Sequence, residues 1–506
     1  MLEQVLKSIQ GFHPEAILAG GILLVILLDA IFRHRQKRFA GMLTLVILAF
    51  VMAAEVFSWG KYTAGGRSFS DLIRQDTFGF YFKMLFAGAG FLVVLFTELQ
   101  QGFDLRKMEG EYYALLLISL LGMYLLVSAV NLLMLYVALE MISISSYILT
   151  GMIKDNRRSS EAAMKYILFG AVSSAIMLYG ISMLYGFTGS LDYGMISIKS
   201  AGIHSAGLLV ISALILAGFA YKIAGVPFHS WCPDVYEGAP TPITAFFSVA
   251  PKAAGFGALM RFLYETVVGK VLLKDAASDF NNIRMLPDTT LVWVLLLSLV
   301  SVLTMTYGNF AALKQTNIKR LLAYSSIAHA GYMLMGVVLM TKEGMQAVMF
   351  YLGIYLFMNL GAFLCVILIS QKAGSENLED WKGIGWKYPL VCVSMAIFLF
   401  SLTGLPPLAG FIGKLYIFAA LVEANWLWLA VIGVLNSVVS LYYYAKVAKI
   451  MFLEGVPAGD AVAETQGLPA SSAIVIFILL MPVVVLGIWW GGLKQLVATA
   501  FSVFTV

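Results

Sequence analysis

The sequence predicts an all-α polytopic membrane protein of about 14 transmembrane helices, with two inverted five-helix repeats and broken helices seven and twelve. The chain has 506 residues, of which 60% are apolar and only 12% charged, against about 25% charged in an average soluble domain. Apolar windows of roughly 20 residues, enough to span a bilayer, recur along nearly its whole length. Two stretches also recur at a constant offset, which indicates an internal duplication.

The predicted spans form a single transmembrane domain covering 1–506. They are 14–33, 39–59, 77–97, 111–129, 131–151, 161–186, 204–228, 242–266, 291–310, 320–341, 345–370, 390–420, 425–451 and 470–490. The domain divides into N-terminal helices 1–3 (1–110), a first repeat of helices 4–8 (111–266), a second repeat of helices 9–13 (291–451) and C-terminal helix 14 (470–506). A basic run, not a small-residue cleavage site, follows the first span, so we expect a retained helix and not a signal peptide. The polar stretch 454–472 is predicted to be a loop.

The placement of basic residues predicts the orientation, because loops rich in Lys and Arg stay on the cytoplasmic side. The net charge is only +5. With the N-terminus outside, the cytoplasmic loops hold 17 basic residues and the opposite side 10. Both termini are therefore predicted to lie outside. The first group is Arg33, Arg35, Lys37, Arg38, Arg106, Lys107, Lys154, Arg157, Arg158, Lys314, Lys319, Arg320, Lys372, Lys382, Lys387, Lys446 and Lys449; the second is Lys7, Lys61, Arg67, Arg74, Lys199, Lys270, Lys274, Arg284, Lys342 and Lys494.

Several function classes are disfavoured. The composition gives no support to a nucleic-acid role. Cys232, Cys365 and Cys392 stand apart and form neither a CxxC pair nor a His-spaced set, so we expect no disulfide, zinc or iron–sulfur site. The glycine-rich phosphate-binding patterns are missing from the sequence. We therefore expect no redox centre on the chain.

The internal repeat is visible within the chain itself. SYILTG at 146–151 recurs as GYMLMG at 331–336, and EAAMKY at 161–166 recurs as QAVMFY at 346–351. Both matches have an offset of 185 residues, and they pair two consecutive helices with two others without a gap. Chance similarity of apolar stretches is the alternative, but the constant register over two helices favours duplication. Five helices separate the pairs, an odd number, so the halves are predicted to have inverted topology.

Each predicted repeat contains one interrupted helix. Gly225 to Pro227 and Gly404 to Pro407 place glycine and proline inside apolar runs at comparable positions. Proline removes a backbone donor, and freed backbone groups at membrane depth must face protein or water. Many membrane prolines only kink a helix, but two matching breaks, each near a lysine (Lys222 and Lys414), favour an ion site.

Ionisable residues inside apolar spans are the candidate functional residues, because each costs at least about 2.5 to 3.5 kcal/mol at the bilayer centre. Glu140 lies near the middle of the fifth span, and Lys222 is its natural partner. Lys252 in the eighth span and Lys414 after the second break complete the main set. Burial favours a neutral lysine and a nearby carboxylate favours the charged form, so moving Glu140 relative to Lys222 would switch the lysine and release its proton. A static ion pair is the structural alternative.

Two further residues are weaker candidates. His329 on the tenth span could relay protons or could be a hydrogen-bonded interhelical histidine. Lys165 lies four residues after Glu161 on the sixth span. Ser325 stands at the repeat position of Glu140, so the second half lacks the same carboxylate. A structural or helix-end role is expected for His229, Asp29, Glu55, Lys83, Glu98, Arg261 and Glu265, with Arg261 and Glu265 spaced to pair.

Three motifs carry a family resemblance. They read PFHSWCPDVYEGAPTP at 227–242, running into SVAPKAA at 248–254, then NIKRLLAYSSIAHAGY at 317–332 and GLPPLAGFIGK at 404–414. Over essentially its full length the chain closely resembles the subunit N family of proton-pumping NADH-quinone oxidoreductase, respiratory complex I. The PDVYEGAPTP stretch favours this family over its larger antiporter-like relatives. The resemblance implies 14 helices, inverted repeats and broken helices seven and twelve.

The resemblance also implies roles. Glu140 and Lys222 would be the charged pair of the first half-channel, Lys252 the central link and Lys414 the end of the second half-channel, with His329 joining the axis between them. NADH, FMN, iron–sulfur clusters and quinone would belong to partner subunits, with no cofactor on this chain. The other membrane and peripheral subunits of complex I would be its partners, in a bacterial inner membrane.

Two alternatives stay open on the residues alone. The same fold and charges would serve a component of a multisubunit cation/proton antiporter without redox activity. They would also serve a membrane scaffold in which the charges only hold helices together. Co-purification of flavin and iron–sulfur subunits distinguishes the first alternative, and intact transport after paired charge removal distinguishes the second.

Overall fold

The structure is a computed structural model that describes residues 11–32, 39–63, 65–100, 108–268, 288–455 and 467–504. Within these ranges it is almost entirely helical. Thirteen of the described helices are long and apolar enough to cross a membrane, and a further crossing is split into two shorter helices. The chain is therefore a multi-pass membrane protein, as predicted. Ten of the residues used for the orientation lie outside the described ranges: Lys7, Arg33, Arg35, Lys37, Arg38, Arg106, Lys107, Lys270, Lys274 and Arg284.

The N-terminal helices precede the first repeat. They are α1 (His13–Phe32), α2 (Phe39–Tyr62) and α3 (Thr77–Leu99), and between α2 and α3 lies an unpredicted antiparallel hairpin of β1 (Gly66–Ser68) and β2 (Ile73–Gln75), in which Arg67 pairs with Arg74. Asp76 caps α3 by accepting a hydrogen bond from the Gly79 amide at 2.7 Å. The cap and the hairpin together fix where α3 begins.

The first repeat runs from α4 to α10. It comprises α4 (Glu109–Ser128), α5 (Leu132–Thr150), α6 (Arg157–Thr188), the short α7 (Tyr193–Lys199), α8 (Ser205–Ile223), α9 (Trp231–Gly238) and α10 (Thr241–Leu263), which continues as a π-turn over Tyr264–Val268. The helix in the seventh predicted span, 204–228, ends early. α8 stops at Ile223, the break begins at Ala224, and α9 begins at Trp231. The glycine and proline of the break cause this difference.

The second repeat repeats the same order. It comprises α11 (Asp288–Ala312), α12 (Ile318–Val338), α13 (Lys342–Ala373), the four-residue α14 (Ile384–Lys387), α15 (Pro389–Thr403), α16 (Ala409–Glu423) and α17 (Leu427–Leu453). The twelfth predicted span, 390–420, is two helices. The chain then forms α18 (Ala470–Ile488) and an unpredicted α19 (Gly491–Phe501). Most of the predicted loop 454–472 lies outside the described residues.

Equivalent helices of the two repeats make equivalent contacts. α4 packs on α5 as α11 packs on α12, α6 on α8 as α13 on α15, and α6 on α9 as α13 on α16. Equivalent helices also run in opposite directions. Asn131, before α5, bridges Asp192 on the face that bears the hairpin, whereas Asn317, before α12, bridges Asn377 on the other side. The predicted inverted repeats are therefore confirmed.

Helices at the repeat boundary form the most buried part of the molecule. Every residue of α10 up to Leu263 is buried, and nearly all of α12 is buried. α10 packs against α12 and α13, and α9 packs against α12. The polar side chains that these helices carry are therefore enclosed by protein and not by lipid.

Candidate functional site

The first break ends α8 at Ile223, one residue after Lys222. Ala224 adopts a left-handed conformation with φ 59°, and the Val226 amide donates to Thr304 Oγ1 at 2.9 Å. Trp231 Nε1, at the start of α9, donates to the Tyr221 carbonyl at 3.1 Å. Backbone groups released by the proline thus find protein partners, as buried backbone at membrane depth requires.

The second break places a lysine against the freed backbone. α15 ends at Thr403, Gly404 takes φ 93°, and α16 begins at Ala409. Lys414 Nζ donates to the Thr403 carbonyl at 2.8 Å and to Ser437 Oγ at 3.1 Å. A helix C-terminus carries partial negative charge, so this carbonyl stabilises the ammonium form of Lys414.

Glu140 and Lys222 line one small cavity between α5, α6 and α8. The cavity has about 10 Å³, near the minimum for one water molecule. Lys222 Nζ donates to Ser143 Oγ at 3.2 Å, one turn along α5 from Glu140. Among the described residues no ion pair within 4.0 Å joins Glu140 to Lys222, and Glu140 Oε1 is buried without a hydrogen-bond partner. The two groups are neighbours across a cavity and not a closed pair.

Lys252 lies at the middle of α10 and reaches α12. Its Nζ donates to Ser326 Oγ at 2.7 Å and lies 5.7 Å from the ring centroid of Tyr236 on α9. The stem of Lys222 lies alongside Gly255, one turn further on α10, where an added Cβ would lie 3.4 Å from Lys222 Cγ. Lys252 is therefore the buried cation between the first break and the second repeat.

His329 lies at the middle of α12 and is enclosed by tyrosines. Its Nε2 is 3.2 Å from Tyr444 Oη and its Nδ1 is 2.7 Å from Tyr351 Oη. Tyr444 Oη also makes a short hydrogen bond with Ser325 Oγ. A neutral imidazole donates through one nitrogen and accepts through the other, so this arrangement can pass a proton between two hydroxyls.

Aromatic and amide groups lie between His329 and Lys414. We call the series of buried groups from Glu140 through Lys222, Lys252 and His329 to Lys414 the buried axis. Lys414 Nζ lies 4.5 Å from the ring centroid of Tyr332, the ring of which is 5.7 Å from His329. Asn309 donates to Tyr332 Oη at 3.0 Å and accepts from Tyr443 Oη at 3.0 Å. Polar groups therefore continue from α12 to α17 and the second break.

Lys165 lies apart from this buried axis. Its Nζ is 2.8 Å from both Glu161 Oε1 and Asp234 Oδ2, and its side chain is 39% exposed. Arg320 joins the same ionic cluster through Asp234 and Glu237, at 2.6 and 2.9 Å. The cluster lines a cavity of about 200 Å³ beside α9. The structure thus brings Glu140, Lys222, Lys252, His329 and Lys414 into one interior and leaves Lys165 at its edge.

The helix-end role expected for Lys83 and Glu55 is wrong. Lys83 Nζ lies 2.5 Å from Glu15 Oε1 and 3.9 Å from Glu55 Oε1, and none of the three side chains is more than 1% exposed. The neighbouring helices α1, α2 and α3 enclose these residues, so their positions near helix ends do not bring them to solvent.

Arg261 and Glu265 do pair, at 3.5 Å, but Asp76 is the principal partner of Arg261. Arg261 Nη1 and Nη2 bind the two Asp76 carboxylate oxygens at 2.7 and 2.8 Å. Burial raises the pKa of Asp76, but the Arg261 guanidinium outweighs burial and holds that pKa below its ordinary value of 3.8. This is a closed, buried ion pair that ties α10 to the start of α3.

The hydroxyls that bind the candidate residues were not predicted from the sequence. Ser143, Ser326, Tyr351, Tyr444 and Ser437 each hydrogen-bond to a candidate residue. Ser143 could have been found, because it lies three residues after Glu140 on one helix face. The others come from distant helices, so no spacing in the sequence connects them to their partners.

Comparison with known proteins identifies the family. A model of the membrane region of NADH:quinone oxidoreductase and Mrp antiporter subunits matches residues 129–274 and 266–440. NADH-quinone oxidoreductase subunit N 2 of Chloroherpeton thalassium is 45% identical, with 94% of this chain and 91% of that protein covered. Subunit N of Anaeromyxobacter sp. is 39% identical over 100% of this chain and 98% of that protein. The chain belongs to the subunit N family of NADH-quinone oxidoreductase.

The subunit N fold is also found in a solved complex. A chain of respiratory complex I from Thermus thermophilus with bound aureothin superposes with a TM-score of 0.76 at 32% identity, covering 96% of this chain and 99% of that one. The first family match contains Glu140, Lys222 and Lys252, and the second contains His329 and Lys414. Both parts of the buried axis therefore lie in the region that the model of NADH:quinone oxidoreductase and Mrp antiporter subunits matches.

Proposed function

We propose that the chain is a proton-translocating membrane subunit of NADH:quinone oxidoreductase, driven by quinone reduction elsewhere in the complex. One observation carries the proposal. Lys222, Lys252 and Lys414 are buried, and each binds a hydroxyl or carbonyl oxygen. In the described residues none of these ammonium groups has a carboxylate within 4.0 Å, unlike Arg261 and Lys83. An ammonium without a paired anion in a low-dielectric interior can give up its proton at modest cost.

Glu140 acts as the switch for Lys222. Unit charges about 5 Å apart interact by roughly 3 kcal/mol at an effective dielectric of 20, which changes a proton-binding constant about a hundredfold. Because the two groups share a cavity and do not form a closed pair, a small movement of α5 against α8 changes this interaction strongly. Lys222 would pass its proton towards Lys252, and the proton would continue past Ser326 and His329 to Lys414.

The redox chemistry belongs to other subunits in this proposal. The chain contributes no redox step, and NADH, FMN, iron–sulfur clusters and quinone are bound by its membrane and peripheral partners. The relatives support this, because they are named as subunits of NADH-quinone oxidoreductase. The three cysteines of the chain are free, buried thiols.

We place the chain in a bacterial inner membrane with both termini outside, as one domain of N-terminal helices, two repeats and a C-terminal helix. The basic-residue count supports this orientation. Contacts group the loops on two sides as predicted, Arg67 with Asp192 on the hairpin side and Lys319 with Glu376 on the other side, and the basic-residue count assigns the hairpin side to the outside.

Substitution in the purified complex tests the proton path. We expect Glu140→Gln and Lys222→Met each to lower proton pumping at least about tenfold, since each removes one partner of an interaction worth about 3 kcal/mol. Pumping is measured in proteoliposomes together with NADH:quinone reductase activity. Lys342→Met, which removes an exposed lysine at the start of α13, is the control. Full pumping by both axis variants, assembled at normal levels, would contradict the proposal.

Two alternatives give different results in the same preparations. A cation/proton antiporter component would purify without flavin and iron–sulfur subunits and would exchange ions without NADH. A scaffold would lose thermal stability when the Glu140 and Lys222 charges are removed together, while pumping per assembled complex stays normal.

A further inference from the structure

A second buried charge centre lies outside the two repeats, among the N-terminal helices. It consists of Glu15 in the first turn of α1, Glu55 on α2 and Lys83 on α3, which we call the N-terminal triad. All three side chains are at most 1% exposed. The candidate proton path from Glu140 to Lys414 does not use them.

The charges of the triad do not balance. Two carboxylates face one ammonium, so the fully ionised triad would carry one net negative charge. In the part of the chain that the structure describes, the other titratable side chains that face it are Tyr62 and Tyr124, with ring centroids 5.7 and 5.6 Å from Lys83 Nζ. The nearest further charges, Asp76 and Glu265 with Arg74 and Arg261, balance one another. Among the described residues the neighbourhood therefore supplies no cation to neutralise the second carboxylate, and an uncompensated buried charge is very unfavourable.

The hydrogen bonds indicate which carboxyl group is left over. Glu15 Oε1 accepts from Lys83 Nζ at 2.5 Å, whereas the nearest Glu55 oxygen is 3.9 Å from that nitrogen. Glu55 Oε2 accepts from Tyr62 Oη at 2.9 Å, and Glu55 Oε1 is buried without a hydrogen-bond partner in the described residues. Glu15 Oε2 is likewise buried without a partner in the described residues, so the distance to the ammonium decides between the two carboxyl groups, and Glu55 has the weaker hold on it.

We propose that the N-terminal triad is an exchangeable proton site, with the proton on Glu55 Oε1 and the ion pair between Lys83 and Glu15. Binding the proton takes the triad from a net charge of −1 to zero, and releasing it restores −1. Glu15 is the third residue of α1, and Glu55 lies two turns before the end of α2. The site is therefore roughly 10 Å or less from the helix ends at the hairpin, and that side of the membrane is the one with which it exchanges.

The triad is also connected to the buried axis by a rigid element. Lys83 lies on α3 about two turns after Asp76, the residue that caps the start of this helix. Asp76 is held by Arg261 at the end of α10, the helix that carries Lys252. A change of charge at the triad therefore acts on a helix that is fixed to the central part of the molecule.

Infrared difference spectroscopy of the purified complex during a pH step tests the proposal. We expect a carbonyl stretching band of a protonated carboxylic acid that shifts in ²H₂O. Glu55→Gln should remove this band, and Glu343→Gln, at an exposed residue in the first turn of α13, should leave it unchanged.

Charge balance within the triad predicts changes in the acid band of two further variants, which would not occur if Glu55 titrated independently of Glu15 and Lys83. Glu15→Gln should also remove the band, because Glu55 must then ionise to neutralise Lys83. Lys83→Met should add a second acid band, since both carboxyl groups then take protons. Identical spectra for the native complex and Glu55→Gln would overturn the proposal. If Glu55→Gln fails to assemble, Glu55→Asp should shift the band, and an unshifted band would overturn the proposal equally.

Discussion

At the scale of single residues, the buried cations fall into two kinds. Arg261 and Lys83 lie against carboxylates at 2.7 and 2.5 Å, whereas Lys222, Lys252 and Lys414 bind hydroxyl or carbonyl oxygens. A closed pair holds its charge, because separating it leaves an uncompensated ion in a low-dielectric interior. A hydroxyl or carbonyl tolerates both the charged and the neutral lysine, since it can stay hydrogen-bonded to either. This difference separates helix-fastening residues from those suited to proton transfer.

Arg261→Met should destabilise the protein strongly. The change leaves Asp76 as an unpaired buried carboxylate, and breaking such a pair costs about 3–5 kcal/mol. The double variant Arg261→Met with Asp76→Asn should recover much of the loss, as measured by thermal unfolding of the purified complex. Because the pKa of Asp76 is lowered, its stabilising effect is fully present above pH 3.8 and is lost as pH falls through the lower folded value. Equal stability of the single variant and the native protein would contradict the closed pair.

Tyr351→Phe should slow pumping without preventing assembly. It removes the 2.7 Å hydrogen bond to His329 Nδ1 and leaves the aromatic ring in place. A hydrogen bond to a group that becomes charged contributes about 1.5–3 kcal/mol, so we expect a loss of roughly tenfold or more in coupled proton pumping. Tyr355→Phe is the control, because that hydroxyl has no partner in the described residues. Equal rates for the two variants would argue against His329 as a relay.

The sequence revealed which residues of the site are charged but not what binds them. Glu140, Lys222, Lys252 and Lys414 stand out because ions are rare in apolar spans. Their hydroxyl partners come from other helices and have no spacing signal. Glu55 was misjudged for a related reason: its position near the end of α2 does not show that α1 and α3 cover it.

At the scale of elements, a broken helix exposes backbone groups that then take part in the site, as the Thr403 carbonyl does when it accepts from Lys414 Nζ. The positions of glycine and proline in the sequence predicted both breaks, but they did not show which residue of each break adopts the left-handed backbone conformation. Ala224 takes the left-handed conformation in the first break, next to Gly225, whereas Gly404 itself takes it in the second. The lysines also lie on opposite sides of their breaks, Lys222 before and Lys414 after. The two half-channels are thus related by fold and differ in chemistry.

Gly404→Ala should impair the second half-channel selectively. A side chain at φ 93° is strained, and the new Cβ would lie 3.0 Å from Lys414 Cδ, so the Lys414 stem must shift by a few tenths of an ångström and disturb the hydrogen bond of its Nζ to the Thr403 carbonyl. The left-handed strain alone costs roughly 1–2 kcal/mol. Pumping in proteoliposomes should fall severalfold or more while quinone reductase activity in detergent is retained. Gly20→Ala, where nothing lies within 4 Å of the added Cβ, should match the native protein, and an equal loss in both would point to general damage.

At the scale of the whole molecule, the two repeats form one interior because α10 and α12 belong to different repeats and pack together. Lys252 on α10 and His329 on α12 thereby become neighbours in a single axis. The repeat offset predicted the duplication and its inversion, since both are properties of chain order. It could not predict the hairpin, α7 or α19, which are short and lie outside the duplicated helices that span the membrane.

The orientation of the molecule can be tested on single-cysteine variants, because Cys232, Cys365 and Cys392 are all buried and should not react with a membrane-impermeant maleimide. Lys199 and Lys382 are both exposed lysines outside the spanning helices. Their contacts place them on opposite sides of the molecule. Lys199 is the last residue of α7, on the side that bears the hairpin. Lys382 lies on the other side, where the amide of the next residue, Gly383, donates to the Ile450 carbonyl near the end of α17. We expect Lys199→Cys to be labelled in intact spheroplasts and Lys382→Cys only after permeabilisation, since positive loops remain in the cytoplasm. The reverse pattern would invert the molecule, and the N-terminal triad would then exchange protons with the cytoplasmic side.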